Sequence, residues 1–436
     1  MDALKKYKDK RVAIYGLGVT GHSAAKTLKN SKAKVFCWDD NKKKRQKANK
    51  LNLNLNKFWL NKDLVDKILI SPGIDIKRCK IKSFLKKNHN KIITDIDLFF
   101  ELNNNSSIIS ITGTNGKSTT CKIIEKILKT AGHNVKTIGN IGNPVLSLKK
   151  TKKKYILILE ISSYQLEYSK LFKSDHAAIL NISPDHLERH QNIKNYIKIK
   201  SKIFFGQSKQ DYSYINLGDK YYKLIKNIFE KKKLKSKLIA INQTNFNFLL
   251  RKIKNKYLNS KGNIENLLFA YKIAKNLKVK DESIIKALNK FKGLPHRQES
   301  IFSNKKIKCI NDSKATSFAA SLQSLLSYNK IYWIVGGLPK KQDKFNLKNV
   351  SRKIVKAYII GKTTNFFAKK LGDDVRYKIS YDIKNAIIDI FKDIKKTENT
   401  NYTILLSPAA ASYDQFANFE DRGNYFKKLI KEKFNV

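Results

Sequence analysis

The segment Ser110 to Thr120, SITGTNGKSTT, sets two glycines, one lysine and a run of hydroxyls in the order a phosphate group needs. Gly113 and Gly116 let the backbone approach an anion. A helix opening at Lys117 would aim its first N–H groups and the positive end of its dipole at that anion. Lys117 would reach the outer phosphates of a nucleotide, and the Ser118 hydroxyl would ligate Mg2+. The spacing GxxGKS is two residues shorter between glycines than the usual GxxxxGK[ST], and the plainer alternative is a tight turn before a helix. The apolar run SIISIT ahead of the loop and the periodic KIIEKILKTAG behind it favour the phosphate reading.

Other segments put reactive side chains where strands end. Glu160 closes the apolar run YILILE, at the carboxyl end of a buried strand, where α/β sheets bind ligands and a carboxylate suits a second metal contact. In NISPDHLERH (181–190), His186 beside Asp185 is a candidate metal or phosphate partner, although a single loop histidine is commonly just a hydrogen-bonded residue. His190 and His176 carry only that plainer reading. YIKIKSKIFFG holds Lys198, Lys200 and Lys202, and composition alone selects none of them. Toward the C-terminus, GLPHRQE carries Arg297, NDSKATS combines Asp312 and Lys314 with hydroxyls, and SPAAASYDQF follows a strand with Ser407, Ser412 and Asp414.

Strands and helices must hold these groups in place. RVAIYGLGVTGHSAAKTLKNSKAKVFCWDD reads as strand, glycine turn, helix over Ser23 to Leu28, and strand over Val35 to Trp38. Gly16, Gly18 and Gly21 form GxGxxG, and Asp39 follows about 20 residues on, the pattern of a dinucleotide-type βαβ unit. KILISPGID adds a buried strand ending in the turn Ser71-Pro72-Gly73. The pattern restarts at 107, with strands at 155–160 and 177–182, and again near 307, with strands at 331–335 and 403–406. The expected fold class is α/β in three domains, at residues 1–95, 96–295 and 296–436. They are a Rossmann-like N-terminal domain, a central P-loop-type ATP-binding domain with a mostly parallel sheet, and a Rossmann-like C-terminal domain.

Composition excludes several classes. With 41% hydrophobic and 11% aromatic residues, the 436-residue chain can fill more than one core. It has no run of about 18 apolar residues and no apolar leader ahead of the first strand, so a cytoplasmic protein without a membrane span is expected. Cys37, Cys79, Cys121 and Cys309 are too scattered for a zinc knuckle or a redox pair and read as reduced thiols. The outlier is charge: 90 Lys+Arg against 35 Asp+Glu, a net +55. That raises a rival of another class, a nucleic-acid-binding P-loop ATPase. The excess is spread along the chain and is mostly lysine, where base and phosphate readers favour arginine. A/T-rich codon bias is the plainer reading of it, and no nucleic-acid partner is expected.

In order, the chain carries GLGVTG, SPGI, GTNGKST, GNIGNP, EISSYQLE, DHLERH, GLPHRQE, NDSKATS, GGLPK and SPAAASYDQFANFEDRG. By these blocks, spread over essentially its whole length, it resembles the Mur ligases of peptidoglycan synthesis, which share a GTxGK[ST] loop with folylpolyglutamate synthases. GLPHR and ASYDQFANFEDRG are similar to the D-glutamate-adding branch rather than to the alanine-, diamino-acid- or dipeptide-adding relatives. The GLGVTG domain argues against the folate enzymes. The resemblance implies a monomeric ligase that uses ATP and Mg2+ to activate UDP-N-acetylmuramoyl-L-alanine as an acyl phosphate and couples it to D-glutamate.

The resemblance also implies roles residue by residue. Gly113, Thr114, Asn115, Gly116, Lys117, Ser118 and Thr119 would hold the ATP phosphates. Ser118, Glu160, His186 and a carbamylated Lys200 would hold metal, with Lys117, Glu160, His186 and Lys200 catalytic. Asn263, Asn266, Arg297, Asp312 and Lys314 would contact the nucleotide. Leu17, Thr20, Asp39, Ser71, Pro72, Gly73 and Asn140 would bind the UDP substrate, with residues 1–95 as its domain. Thr316, Lys340, Ser412 and Phe419 would form the D-glutamate pocket in residues 296–436, and residues 96–295 would bind ATP.

Overall fold

The computed structural model describes residues 5–61, 65–102, 106–140, 144–148, 154–340, 343, 345–395 and 401–435. Ile141, Gly142 and Asn143 of the GNIGNP block lie outside the described residues. The chain divides into two compact units, residues 1–254 with 265–290, and residues 255–264 with 291–436. The first unit holds two sheets and the second holds one.

The N-terminal sheet is parallel. Its strands are β1 (Arg11–Tyr15), β2 (Lys34–Trp38), β3 (Lys67–Ile70) and β4 (Ile92–Ile93), in the order β2-β1-β3-β4. Side chains alternate faces along β1: Val12 and Ile14 pack into one core layer, Ala13 and Tyr15 into the other. Both faces are covered, which is why the strand reads as an unbroken apolar run. The helix after the glycine turn runs Val19–Asn30, longer at both ends than the apolar pattern alone indicates.

The central sheet has six parallel strands: β5 (Ser107–Thr112), β6 (Val135–Gly139), β7 (Ile156–Glu160), β8 (His176–Ile179), β9 (Tyr212–Asn216) and β10 (Lys237–Ile241). Their order, β10-β9-β8-β5-β7-β6, makes β5 the point where the winding reverses, the usual ligand crevice of such sheets. The 14-residue helix Lys117–Thr130 follows β5 directly and buries Ile123, Ile124, Ile127 and Leu128 on one face.

The second unit carries β11 (Glu299–Ser303), β12 (Ile307–Asn311), β13 (Ile331–Gly336), β14 (Ile354–Ile360), β15 (Tyr377–Tyr381) and β16 (Tyr402–Leu406), in the order β11-β12-β16-β13-β14-β15. The edge pair β11–β12 is antiparallel and the other pairs are parallel. Trp333 and Val335 face one core layer, Tyr332 and Ile334 the other. The architecture is the expected α/β one. Cys37, Cys79, Cys121 and Cys309 are free thiols. Among the described residues no helix is long and apolar enough to cross a membrane.

Candidate active site

Register brings the central residues to one edge. Glu160 pairs with Ile111 on one side and Gly139 on the other, so the loop after β5, Glu160 and Asn140 all leave the sheet at the same level. Gly116 stands at the mouth of the helix with φ +82°, a left-handed conformation that glycine adopts without strain. A Cβ there would collide with the side-chain oxygen of Asn266. Asn266 is buried, and its Oδ1 also accepts a hydrogen bond from Thr120 at 3.2 Å. The helix start has no side-chain cap, leaving its first N–H groups to the loop side.

The loop is pinned from below. Asn181, just beyond β8, accepts from the Asn115 backbone N–H through Oδ1 at 2.9 Å and donates from Nδ2 to the Asn115 carbonyl at 3.2 Å. The Asn181 carbonyl accepts from the Thr114 N–H at 3.0 Å, and Thr114 Oγ1 accepts from the Ser183 N–H at 3.0 Å. Lys117 folds over the loop, donating to the carbonyls of Gly113 and Thr114 at 2.9 Å each. Ser118 and Thr119, which follow it, are buried.

Glu160 is 2% exposed. Its Oε1 accepts from Asn140 Nδ2 at 2.8 Å, while Oε2 has no hydrogen-bond partner. A buried carboxylate oxygen left so calls for a ligand. Among the described residues no three His, Cys, Asp or Glu side chains gather into a complete metal cage. A hard divalent cation sharing its shell between Glu160, the Ser118 hydroxyl and ligand phosphates fits this donor set.

Lys200 lies in the last turn of the helix Ile193–Ser201, 1% exposed. Its Nζ donates to the Gly113 carbonyl at 2.9 Å and Thr112 Oγ1 at 3.2 Å, and lies 4.8 Å from the Tyr196 ring centre. Burial, reinforced by the nearby Lys117 charge and opposed by Asp185 and Glu160, pushes its pKa well below the usual lysine range. Lys198 is exposed, and Lys202 donates to the Glu167 carbonyl at 2.6 Å. His186, at φ +55°, meets Tyr164 Oη through Nδ1 at 2.9 Å and Asp185 through Nε2 at 3.3 Å. His190 meets Ser163 Oγ at 3.0 Å and His176 meets Tyr214 Oη at 2.9 Å, both by way of buried rings.

A second feature of this unit is a cavity of about 460 Å3. Thr20, Ser71, Pro72, Gly73 and Asn140 line it, as do Lys44 and Asp95. At the glycine turn, Gly21 is required because a Cβ there would strike the Gly16 carbonyl oxygen. Asp39 is engaged by its own chain: Oδ2 accepts from the Leu17 N–H at 2.7 Å and Oδ1 from the Asn41 N–H at 2.8 Å. Leu17 itself is buried.

Within the other unit, Asp312 is buried between the Ser324 and Ser407 hydroxyls, at 2.5 and 2.9 Å from Oδ2, and the Gln298 N–H at 3.2 Å from Oδ1. Burial raises its pKa to about 6, against those hydrogen bonds and the Arg297 charge. Lys314 Nζ lies 3.5 Å from the centre of the Phe419 ring. The Thr316 N–H donates to the Lys314 carbonyl at 2.9 Å. Asn263 Nδ2 donates to the Tyr257 carbonyl at 2.7 Å, the Lys340 carbonyl accepts from the Asp343 N–H at 3.1 Å, and Ser412 is buried. Asn263, Lys340 and Ser412 lie on separate segments of this unit.

The sequence does not single out Asn181, Lys44 or Asp95. Asn181 opens the NISPDH block and had that one signal; Lys44 lies in a lysine-rich helix and Asp95 looks like an ordinary helix start.

Comparison with known proteins agrees over the whole length. Residues 111–282 match the family model of the Mur ligase middle domain, and residues 10–93 that of the Mur ligase MurD-like N-terminal domain. The UDP-N-acetylmuramoylalanine–D-glutamate ligase of Rickettsia felis is 37% identical over 98% of each chain. That of Rickettsia bellii is 36% identical over 97% of this chain and 98% of its own. The structure of MurF ligase from Thermotoga maritima, solved with ADP, superposes with TM-score 0.57 over 99% of this chain and all of the other (100%), at 14% identity, a likeness of fold.

Proposed function

The chain belongs to the Mur ligase family, and from that premise we infer that it couples D-glutamate to UDP-N-acetylmuramoyl-L-alanine with cleavage of ATP to ADP and phosphate. The observation that carries this reading is the common edge of the central sheet. There an uncapped helix start, a loop lysine, a buried acid with a spare oxygen and a buried lysine meet.

In the first step the alanine carboxylate attacks the γ-phosphorus. A C–O–P link forms, the bond to the β-phosphate oxygen breaks, and ADP leaves. The N–H groups at the start of Lys117–Thr130 hold the phosphates, and Lys117 turns from the loop carbonyls to the oxygens of the phosphoryl group in transfer. Ser118 and Glu160 would hold Mg2+, with His186 as a further ligand; when bound, the cation supplies neutralisation of phosphate charge. In the second step the D-glutamate amine attacks the acyl carbon, the C–N bond forms through a tetrahedral oxyanion, and phosphate departs as the amine loses its proton.

Lys200 has a role that its burial against the phosphate loop favours. Burial lowers the cost of losing its proton, and the amine nitrogen bonded to carbon dioxide, with a proton released to solvent, would be a carbamate, exchanging a potential cation for an anion with oxygen ligands. Residues 1–95 serve the UDP substrate, residues 96–295 ATP, and residues 296–436 the amino acid, with Thr316, Lys340, Ser412 and Phe419 in its pocket. Asn263, Asn266, Arg297, Asp312 and Lys314 attend the nucleotide. Phosphate release measured with the UDP substrate and D-glutamate, L-alanine, lysine or diaminopimelate in turn tests the reading. D-Glutamate should drive release and amide formation. Release driven by DNA or RNA alone, or no amide with D-glutamate, would overturn it.

A further inference from the structure

Two aspartates share the helix Asp95–Leu102, and they differ in what they touch. Asp97 is saturated: it accepts from the Thr94 N–H and hydroxyl, the Ser169 hydroxyl, and the N–H groups of Lys170 and Leu171. Asp95 is 1% exposed, yet its Oδ1 has no hydrogen-bond partner. It lines the 460 Å3 cavity. A buried polar atom in that condition is costly and asks for a partner that arrives from outside the chain.

Strand register locates Asp95 within the cavity. Leu69 pairs with Ile93, and Asp95 opens the helix just beyond β4, at one edge of the sheet, while Ser71 follows the neighbouring β3. Lys44, paired with Asp39 at 3.4 Å just past β2, lines the cavity from the other side of the sheet. Between them lies the glycine turn, where the helix Val19–Asn30 begins without a side-chain cap. The cation and the uncapped helix start suit the diphosphate. An acid does not, and the far end must meet neutral donors.

We propose that Asp95 is a binding residue for the sugar-peptide portion of the nucleotide-linked substrate, its Oδ1 meeting a hydroxyl or amide N–H, while the diphosphate lies toward the glycine turn and Lys44. This rests on the reading that a UDP-linked sugar acid occupies the cavity. Burial, with Asp97 adding to it and the N–H groups of Asp95 and Ile96 opposing, raises the Asp95 pKa to about 7, so the uncharged acid is accessible near neutrality without a counter-ion.

Calorimetric titration of the full-length protein with UDP-N-acetylmuramoyl-L-alanine and, separately, with UDP tests this. Asp95→Ala should weaken the full substrate about tenfold, and the near-isosteric Asp95→Asn, which keeps an acceptor, by less. Both should bind UDP as the wild type does. Asp95→Asn should melt at or above the wild-type temperature, because a buried acid with an unmet oxygen is gone. Full-substrate affinity within twofold of wild type in both variants would overturn the proposal. So would parallel loss of UDP affinity and melting temperature, which marks a structural role. Wild-type protein that binds neither ligand would instead sink the functional reading on which the proposal stands.

Discussion

The protein builds the same device twice within one unit. A glycine turn leaves β1 and another leaves β5, each at the strand where its sheet reverses winding, and each opens a helix with no side-chain cap. Beyond that they diverge. At the first, Val19 begins the helix, 75% exposed, and the nearby acid Asp39 spends both oxygens on the backbone N–H groups of Leu17 and Asn41. At the second, Lys117 begins the helix, Glu160 keeps an oxygen in reserve, and Lys200 is buried against the loop carbonyl of Gly113. A helix start and a glycine turn suffice to hold an anion. Moving a phosphoryl group also needs charge that strengthens in the transition state, and only the second turn supplies it.

The strongest way to break this contrast is at the lysine. Lys117→Met should lower kcat about 1,000-fold or more while affinity for the UDP substrate stays within about twofold, read by phosphate release and calorimetry. Near-normal turnover would place the two turns in one class. Next comes Lys200→Ala, which should lose about 100-fold in kcat and recover part of it with short-chain carboxylic acids that replace carbamate oxygens. Wild-type activity in that variant would remove Lys200 from the chemistry.

Alanine at the glycines should separate the turns by substrate. Gly116→Ala, strained at φ +82° and blocked by Asn266, should raise KM for ATP about 10-fold or more with little effect on the UDP substrate. Gly21→Ala should do the reverse, since its Cβ presses on the Gly16 carbonyl. A smaller effect is expected at Asn181→Ala, which removes two hydrogen bonds to Asn115 and should raise KM for ATP by roughly five- to tenfold. Smallest is Val19→Lys: a cation added at the exposed start of the first helix should leave turnover within about twofold.

Much of this was readable from the chain. Apolar runs and glycine spacing depend on neighbours a few residues away, so β1, β5, both turns and the helices after them stand out in one dimension. Lys117 and Glu160 were identifiable for the same reason: each sits at a fixed offset from a strand end. The helix after the first turn runs past its apolar pattern because polar ends such as Lys29 and Asn30 carry no apolar signal.

What local pattern could not decide is desolvation and pairing. Lys198, Lys200 and Lys202 alternate along one short segment, and nothing in their own spacing separates them. Packing alone leaves Lys198 in solvent, fastens Lys202 to the Glu167 carbonyl and seals Lys200 against β5. Asp95 and Asp97 likewise look alike in TDID, until Ser169, Lys170 and Leu171, more than 70 residues away in sequence, claim Asp97 and leave an Asp95 oxygen to the cavity. Residue type and short-range order determined which strands, turns and helices this chain makes. Which of its charged groups lose water, and which keep an unmet hydrogen bond, was settled only when distant segments packed, because solvation is a property of everything that surrounds an atom.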